Sequence, residues 1–167
     1  ISSLPSLSEL ERFHHVIHVQ HWINVSGIDI NQIYPESALA NYCIAQFNFA
    51  DIFTDGKKLE DFCGLGHIDT EIYQTASTLA HRRAFLAAVL ALIKQLENRI
   101  STGIFCHRGY ARSPLVAACA FNHFYNETSA QSLQRVKKLH PPAYFTDISI
   151  SALLWCKEQL QHTATSE

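Results

Sequence analysis

Gly103-Ile104-Phe105-Cys106-His107-Arg108-Gly109-Tyr110-Ala111-Arg112-Ser113-Pro114 is the stretch from which the rest of the chain can be read. A short apolar run ends in a cysteine, five residues form a loop, and an arginine and a serine open an apolar helical pattern. A strand–loop–helix unit of this kind makes an anion cradle. Loop N–H groups can turn inward, and the helix N-terminus adds the positive end of its dipole. Gly109 frees the backbone at mid-loop for a conformation that other residues resist. Arg112 supplies a planar fork matching two phosphate oxygens at once, which a lysine would not. In that field the Cys106 thiol should ionise readily, giving a nucleophile beneath a bound phosphate, placed for in-line attack on phosphorus.

Downstream of this unit, three helical patterns follow: Ser113 to Tyr125, Ser129 to Leu139, and Asp147 to about Gln161, with Pro141-Pro142 between the last two. Upstream, Ser101-Thr102-Gly103 forms a turn. Before it, Asp69-Thr70 caps a predicted long helix running toward Asn98, whose Ala84–Ile93 half is apolar all round and so packs against a sheet. Tyr42 to Phe49 reads as a strand that runs out at Ala50-Asp51, and Asp55-Gly56 opens a polar loop through Gly64 and Gly66 to His67. Pro35-Glu36-Ser37 begins a short helix ending near Asn41. Phe13 to Trp22, with β-branched Val16, Ile17 and Val19, reads as an early strand. The order is an α/β layout, a sheet between helical layers, over a single domain of residues 1–167.

Composition narrows the function classes. The 167 residues are 47% hydrophobic and 17% charged, as in a folded domain with a proper core. Thirteen basic side chains against 15 acidic ones leave a net charge of −2, which argues against nucleic acid as a partner. The longest apolar run, Ala84 to Ile93, is half of the roughly twenty residues a bilayer span needs, so no transmembrane segment is expected. Five cysteines (Cys43, Cys63, Cys106, Cys119, Cys156) with no CxxC pair suggest neither a disulfide framework nor a zinc knuckle. Free thiols suit a reducing, cytoplasmic compartment, where the Asn24-Val25-Ser26 and Asn126-Glu127-Thr128 sequons would carry no sugar. No signal peptide is read at the start. The chain contains no methionine and reads as a processed or trimmed segment, any targeting signal lying outside it.

With these residues in view, the chain resembles the cysteine-dependent protein tyrosine phosphatase superfamily, whose signature is CxxxxxR followed by Ser or Thr. It looks most like the dual-specificity branch, several members of which share a Gly-Tyr-x-Arg-Ser-Pro loop end like Gly109 to Pro114. The resemblance spans Tyr42 to Leu160. It implies a central, mostly parallel sheet of about four to five strands flanked by helices. It also implies a metal- and cofactor-independent, monomeric enzyme acting on phosphorylated proteins, with phosphoinositides or nucleic-acid ends as alternative substrates. Carried over, Cys106 is the nucleophile forming a phosphocysteine and Arg112 binds the phosphoryl group. Ser113 donates to the sulfur, and the amides of His107, Arg108, Gly109, Tyr110, Ala111 and Arg112 hold the equatorial oxygens. The general acid of that family follows a strand upstream of the long helix. Asp51 in Phe47-Asn48-Phe49-Ala50-Asp51 matches best, with Asp55 and Asp69 as competitors. Asp51 is farther from Cys106 than in compact relatives, which implies an insertion around Asp55 to Gly66. One departure stands out: the family places a histidine before the cysteine, and here it is Phe105. That change implies a less well supported thiolate and slower turnover, or, at the limit, a catalytically weak phosphate-binding module.

Each residue also has a plainer reading. Cys106 could be a buried structural thiol, as Cys43, Cys119 and Cys156 are expected to be. Arg112 could be a surface cation, Ser113 a helix cap and Asp51 a turn residue. His107 and Arg108 either favour highly anionic substrates or simply point outward. His14, His15, His18 and His21 would diverge on a strand, whereas a helix would bring His14, His18 and His21 together with zinc-binding spacing. No metal site is expected.

Overall fold

The computed structural model describes residues 1–59 and 65–165. An extended lead reaches Ser6, which caps helix α1 (Leu7–Ile17): its hydroxyl accepts from the Glu9 amide while the Glu9 carboxylate takes the Ser6 amide. The chain then runs through β1 (His21–Asn24), the short helices α2 (Ile30–Ile33) and α3 (Glu36–Leu39), and β2 (Cys43–Gln46). Two 3-10 turns, Phe53–Asp55 and Leu65–His67, precede α4 (Glu71–Ala76) and α5 (Leu79–Glu97). Strand β3 (Thr102–Phe105) leads into α6 (Arg112–Phe124), α7 (Ser129–Leu139) and α8 (Asp147–Thr165).

The sheet is parallel throughout, in the order β2-β1-β3, with His21 opposite Cys43 and Thr102, and Asn24 opposite Gln46 and Phe105. Successive side chains alternate between its faces. Ile23 and Ile104 enter the larger core, with Phe85 and Val89 of α5, Leu115 and Val116 of α6, and Ile150 and Leu153 of α8. Trp22 and Phe105 enter a smaller cluster with Leu10 of α1, Ile30 of α2 and Tyr34. Helices thus cover both faces, the expected sandwich. At position 103 glycine is required by close approach: a Cβ there would lie 2.3 Å from the Trp22 indole on the neighbouring strand.

Four expectations are corrected. The sheet has three strands, not four to five; beyond them, among the described residues, only a single parallel bridge from Ser2 to Phe105 extends it at the β3 edge. The Phe13–Trp22 stretch is helical to Ile17 and extended only from His21, because the Ser6–Glu9 capping box nucleates a helix that Leu10 and Phe13 anchor to the small cluster. The helix predicted from Asp69 to Asn98 is two helices, since the Thr78 hydroxyl caps α5 anew by accepting from the His81 amide. Helices α6 and α7 begin and end within a residue of their sequence-based limits. Cys119 and Cys156 are buried as expected, whereas Cys43 is exposed at the start of β2. Cys63 and Gly64 lie outside the described residues.

Candidate active site

Cys106 follows directly on β3, and α6 starts six residues later at Arg112. Its sulfur sits on the loop floor, where the Gly109 amide donates to it at 3.2 Å and the Ser113 hydroxyl lies 3.2 Å away. Cys106 is 3% exposed. The N-cap of α6 is Ala111, which has no capping side chain, so Ser113 is not a cap but a buried helical residue facing the sulfur. Among the described residues, the amides of His107, Arg108, Tyr110 and Ala111 donate to no protein acceptor. A ring of backbone donors at an uncapped helix N-terminus is a ready anion site.

The loop is held from both sides. Gly109 has φ +72°, and a Cβ there would meet the Ser3 nitrogen at 2.6 Å, so the lead segment packs against it. The Ser2 carbonyl accepts from the Cys106 amide at 3.4 Å and from the Ser113 hydroxyl at 3.2 Å, and the Leu4 amide reaches the His107 carbonyl at 3.4 Å. Opposite, His140 Nε2 donates to the Gly109 carbonyl at 2.7 Å, and the Tyr144 amide to the Tyr110 carbonyl at 2.7 Å. Because a carbonyl only accepts, that histidine carries its proton on Nε2.

Arg112 is clamped by main-chain carbonyls: one terminal nitrogen donates to Ser26 O at 2.9 Å and to Phe49 O at 3.3 Å. Its Nε is buried with no protein acceptor, the kind of donor a bound oxyanion would satisfy. The Ser26 carbonyl is in turn set by a buried amide. Asn24 Oδ1 accepts from the Ser26 amide (2.9 Å) and hydroxyl (2.6 Å), while its Nδ2 donates to the Ile28 carbonyl and to Gln46 Oε1. Few rotamers are left to the guanidinium, so its fork is preorganised.

Among the three candidate acids, Asp51 lies two residues beyond the Phe49 carbonyl that holds Arg112, and its Oδ1 is buried without a partner. Asp55 is exposed at the end of a 3-10 turn. Asp69 is exposed, and its Oδ1 accepts from the Glu71 amide at the start of α4. His107 and Arg108 are exposed, in keeping with outward-pointing side chains, and Tyr110 is about half exposed while Ala111 is buried.

The histidine-rich segment does not converge: His14 and His15 are helical, His18 ends α1 in the left-handed region at φ 53°, and His21 starts β1. Among the described residues no group of three or more His, Cys, Asp or Glu is placed to hold a metal. Burial, and hydrogen bonding to Cys156, push the Cys119 thiol well up, as suits a packing residue. Sequence reading passed over Ser2, Asn24, Ser26 and His140. Most of these act through main-chain carbonyls or support them, and such contacts leave no residue-type signature.

No family model and no curated protein sequence matches the chain. Solved structures do. Tk-PTP in its active form aligns with a TM-score of 0.64 at 13% identity, over 93% of this chain and 88% of that one. PTPMT1 in complex with PI(5)P aligns at 0.64 and 12% identity, over 97% and 91%. Human DUSP28 aligns at 0.60 and 18% identity, over 96% and 94%. The chain therefore has the fold of the cysteine-dependent protein tyrosine and dual-specificity phosphatases.

Proposed function

We propose that this chain is a phosphomonoester hydrolase working through a phosphocysteine, with phosphotyrosine, phosphoserine or phosphothreonine proteins as substrates. The observation that carries the reading is the Cys106 sulfur at the foot of the loop, met at 3.2 Å by the Gly109 amide and the Ser113 hydroxyl, beside a guanidinium held by two carbonyls. The Cys106 thiolate attacks phosphorus as the P–O bond to the leaving group breaks, and the Asp51 carboxyl gives that oxygen its proton. The free amides of His107, Arg108, Tyr110 and Ala111, with the Arg112 guanidinium, hold the three equatorial oxygens through the transition state, while the Gly109 amide stays on the sulfur. In the second step Asp51 takes a proton from water as the water oxygen bonds phosphorus. The S–P bond breaks, and the Ser113 hydroxyl, which in the resting site donates to the Ser2 carbonyl, turns to donate to the departing thiolate 3.2 Å away. The chemistry calls for no metal or cofactor. The cysteines among the described residues are free thiols, which suit a reducing compartment such as the cytoplasm, and one chain contains every group named, so a monomer suffices.

Hydrolysis of p-nitrophenyl phosphate without added metal tests this. It should be inhibited by vanadate and lost by at least about a thousandfold in Cys106→Ser; an unchanged rate in that variant removes the proposal. Asp51→Asn should cost about a hundredfold on phenyl phosphate and far less on p-nitrophenyl phosphate, whose leaving group departs unaided. Phosphate release from phosphopeptides, phosphoinositides and phosphorylated nucleic-acid ends, compared side by side, then identifies the substrate class.

A further inference from the structure

The segment carrying Asp51 is tied down on both sides of the aspartate. Phe49 and Phe53, two residues before and two after it, are buried and pack their rings against Phe85 of α5. The Phe49 carbonyl accepts from Arg112 at 3.3 Å. The next carbonyl, that of Ala50, is met at 2.9 Å by Nε2 of His81, on the first turn of α5. His81 is 7% exposed and is walled by the rings of Phe49, Phe53 and Tyr73. Its Nδ1 lies 3.0 Å from the Tyr73 hydroxyl. Since Ala50 O can only accept, Nε2 bears the proton and Nδ1 accepts from the tyrosine. A directed chain results: Tyr73 O–H to His81, then His81 N–H to the carbonyl adjoining Asp51. Tyr73 is itself fixed, because its amide donates to the Ser151 hydroxyl of α8 at 2.8 Å.

We propose that His81 is a positioning residue for the general acid, holding the Ala50–Asp51 backbone where the carboxyl can serve the leaving group. This rests on Asp51 being that acid. The packing of Phe49 and Phe53 sets where the segment lies, but ring contacts are non-directional. The hydrogen bond to Ala50 orients the peptide plane from which the aspartate departs, and small misplacements of a catalytic group are expensive in rate. Burial lowers the His81 pKa, so the ring stays neutral at working pH and keeps the single-donor, single-acceptor form the chain requires.

The test compares two variants on two esters. His81→Phe keeps an aromatic ring between Phe49 and Phe53 but has no donor for Ala50. His81→Gln loses the ring and can still donate to Ala50. On phenyl phosphate His81→Phe should lose about tenfold in kcat, against less than about twofold on p-nitrophenyl phosphate. His81→Gln should stay near the parent on both. In the Asp51→Asn background the phenyl phosphate loss from His81→Phe should vanish, because there is no acid left to position. If His81→Phe does not fold, His81→Asn takes its place, since its shorter amide can serve Tyr73 but not Ala50. Equal loss on both esters, no loss, or a His81→Gln variant as impaired as His81→Phe overturns the assignment. If Asp51→Asn alone shows no leaving-group dependence, the acid reading itself fails, and that result is obtained without touching His81.

Discussion

Phe105 stands at the one position where the loop departs from the family pattern, and its surroundings account for the residue found there. The family's histidine at this place implied a loop tie that phenylalanine cannot make. The structure shows where the phenylalanine goes: fully buried, edge-on to Trp22 at 5.9 Å between ring centroids, in the cluster that α1, α2 and Tyr34 build on the far face of the sheet. The loop has other ties here, through the Ser2 carbonyl, His140 and the Tyr144 amide. Restoring the histidine should therefore not restore rate. Phe105→His would strip an imidazole of water inside an apolar cluster, a cost of about 1–3 kcal/mol. Urea denaturation should show that loss, and kcat on p-nitrophenyl phosphate should not rise. A faster and equally stable variant would mean that the missing histidine, not the surrounding cluster, limits the loop.

Legibility differs from element to element. Helices α6 and α7 were readable because their signals are local: a loop feeding an apolar helix, and a Thr128–Gln131 capping box ahead of Leu133 and Val136. The first helix was not, since its start signal at Ser6 and Glu9 stands ahead of the β-branched Val16 and Ile17 that suggested a strand. The split between α4 and α5 turned on one hydroxyl, that of Thr78. The cradle of Cys106, Gly109, Arg112 and Ser113 was visible as residue types at fixed offsets. Its supports were invisible, being carbonyls from Ser2, Ser26 and Phe49 brought from far along the chain.

Two of these element-level supports are histidines with a consequence for pH. Burial lowers the pKa of both His81 and His140, and outweighs the hydrogen bonds to Ala50 and Gly109 that pull the other way. A folded value below the ordinary one near 6.5 means the unfolded chain binds the proton more tightly. Stability is then fully present above about pH 6.5 and is lost progressively as pH falls from there through the folded values. Thermal melts from pH 8 to pH 5 should show a falling Tm, and His81→Gln should flatten part of that fall. A profile level across this range would show that neither imidazole is held neutral by the fold.

At the scale of the whole molecule, a narrow three-stranded sheet separates two cores of unequal size, and β3, which like β1 contributes side chains to both, runs directly into the nucleophile. Disturbance of the smaller core should therefore reach the chemistry, while loss from the far side of the larger core should reach only stability. Gly103→Ala tests the first limb. Its Cβ would lie 2.3 Å from the Trp22 ring on the adjacent strand, so the indole or β3 must shift. Overpacking of this kind costs about 1–3 kcal/mol, with a change in tryptophan emission and a drop in kcat as Cys106 moves with its strand. Leu153→Ala in α8 is the counterpart, a fully buried side chain among the helices that pack behind α6. It should cost about 2–5 kcal/mol and leave kcat at 25 °C nearly unchanged in the fraction that remains folded. If Gly103→Ala loses stability without losing rate, the position of Cys106 is set by the loop and α6 alone, and β3 is only the strand that precedes them.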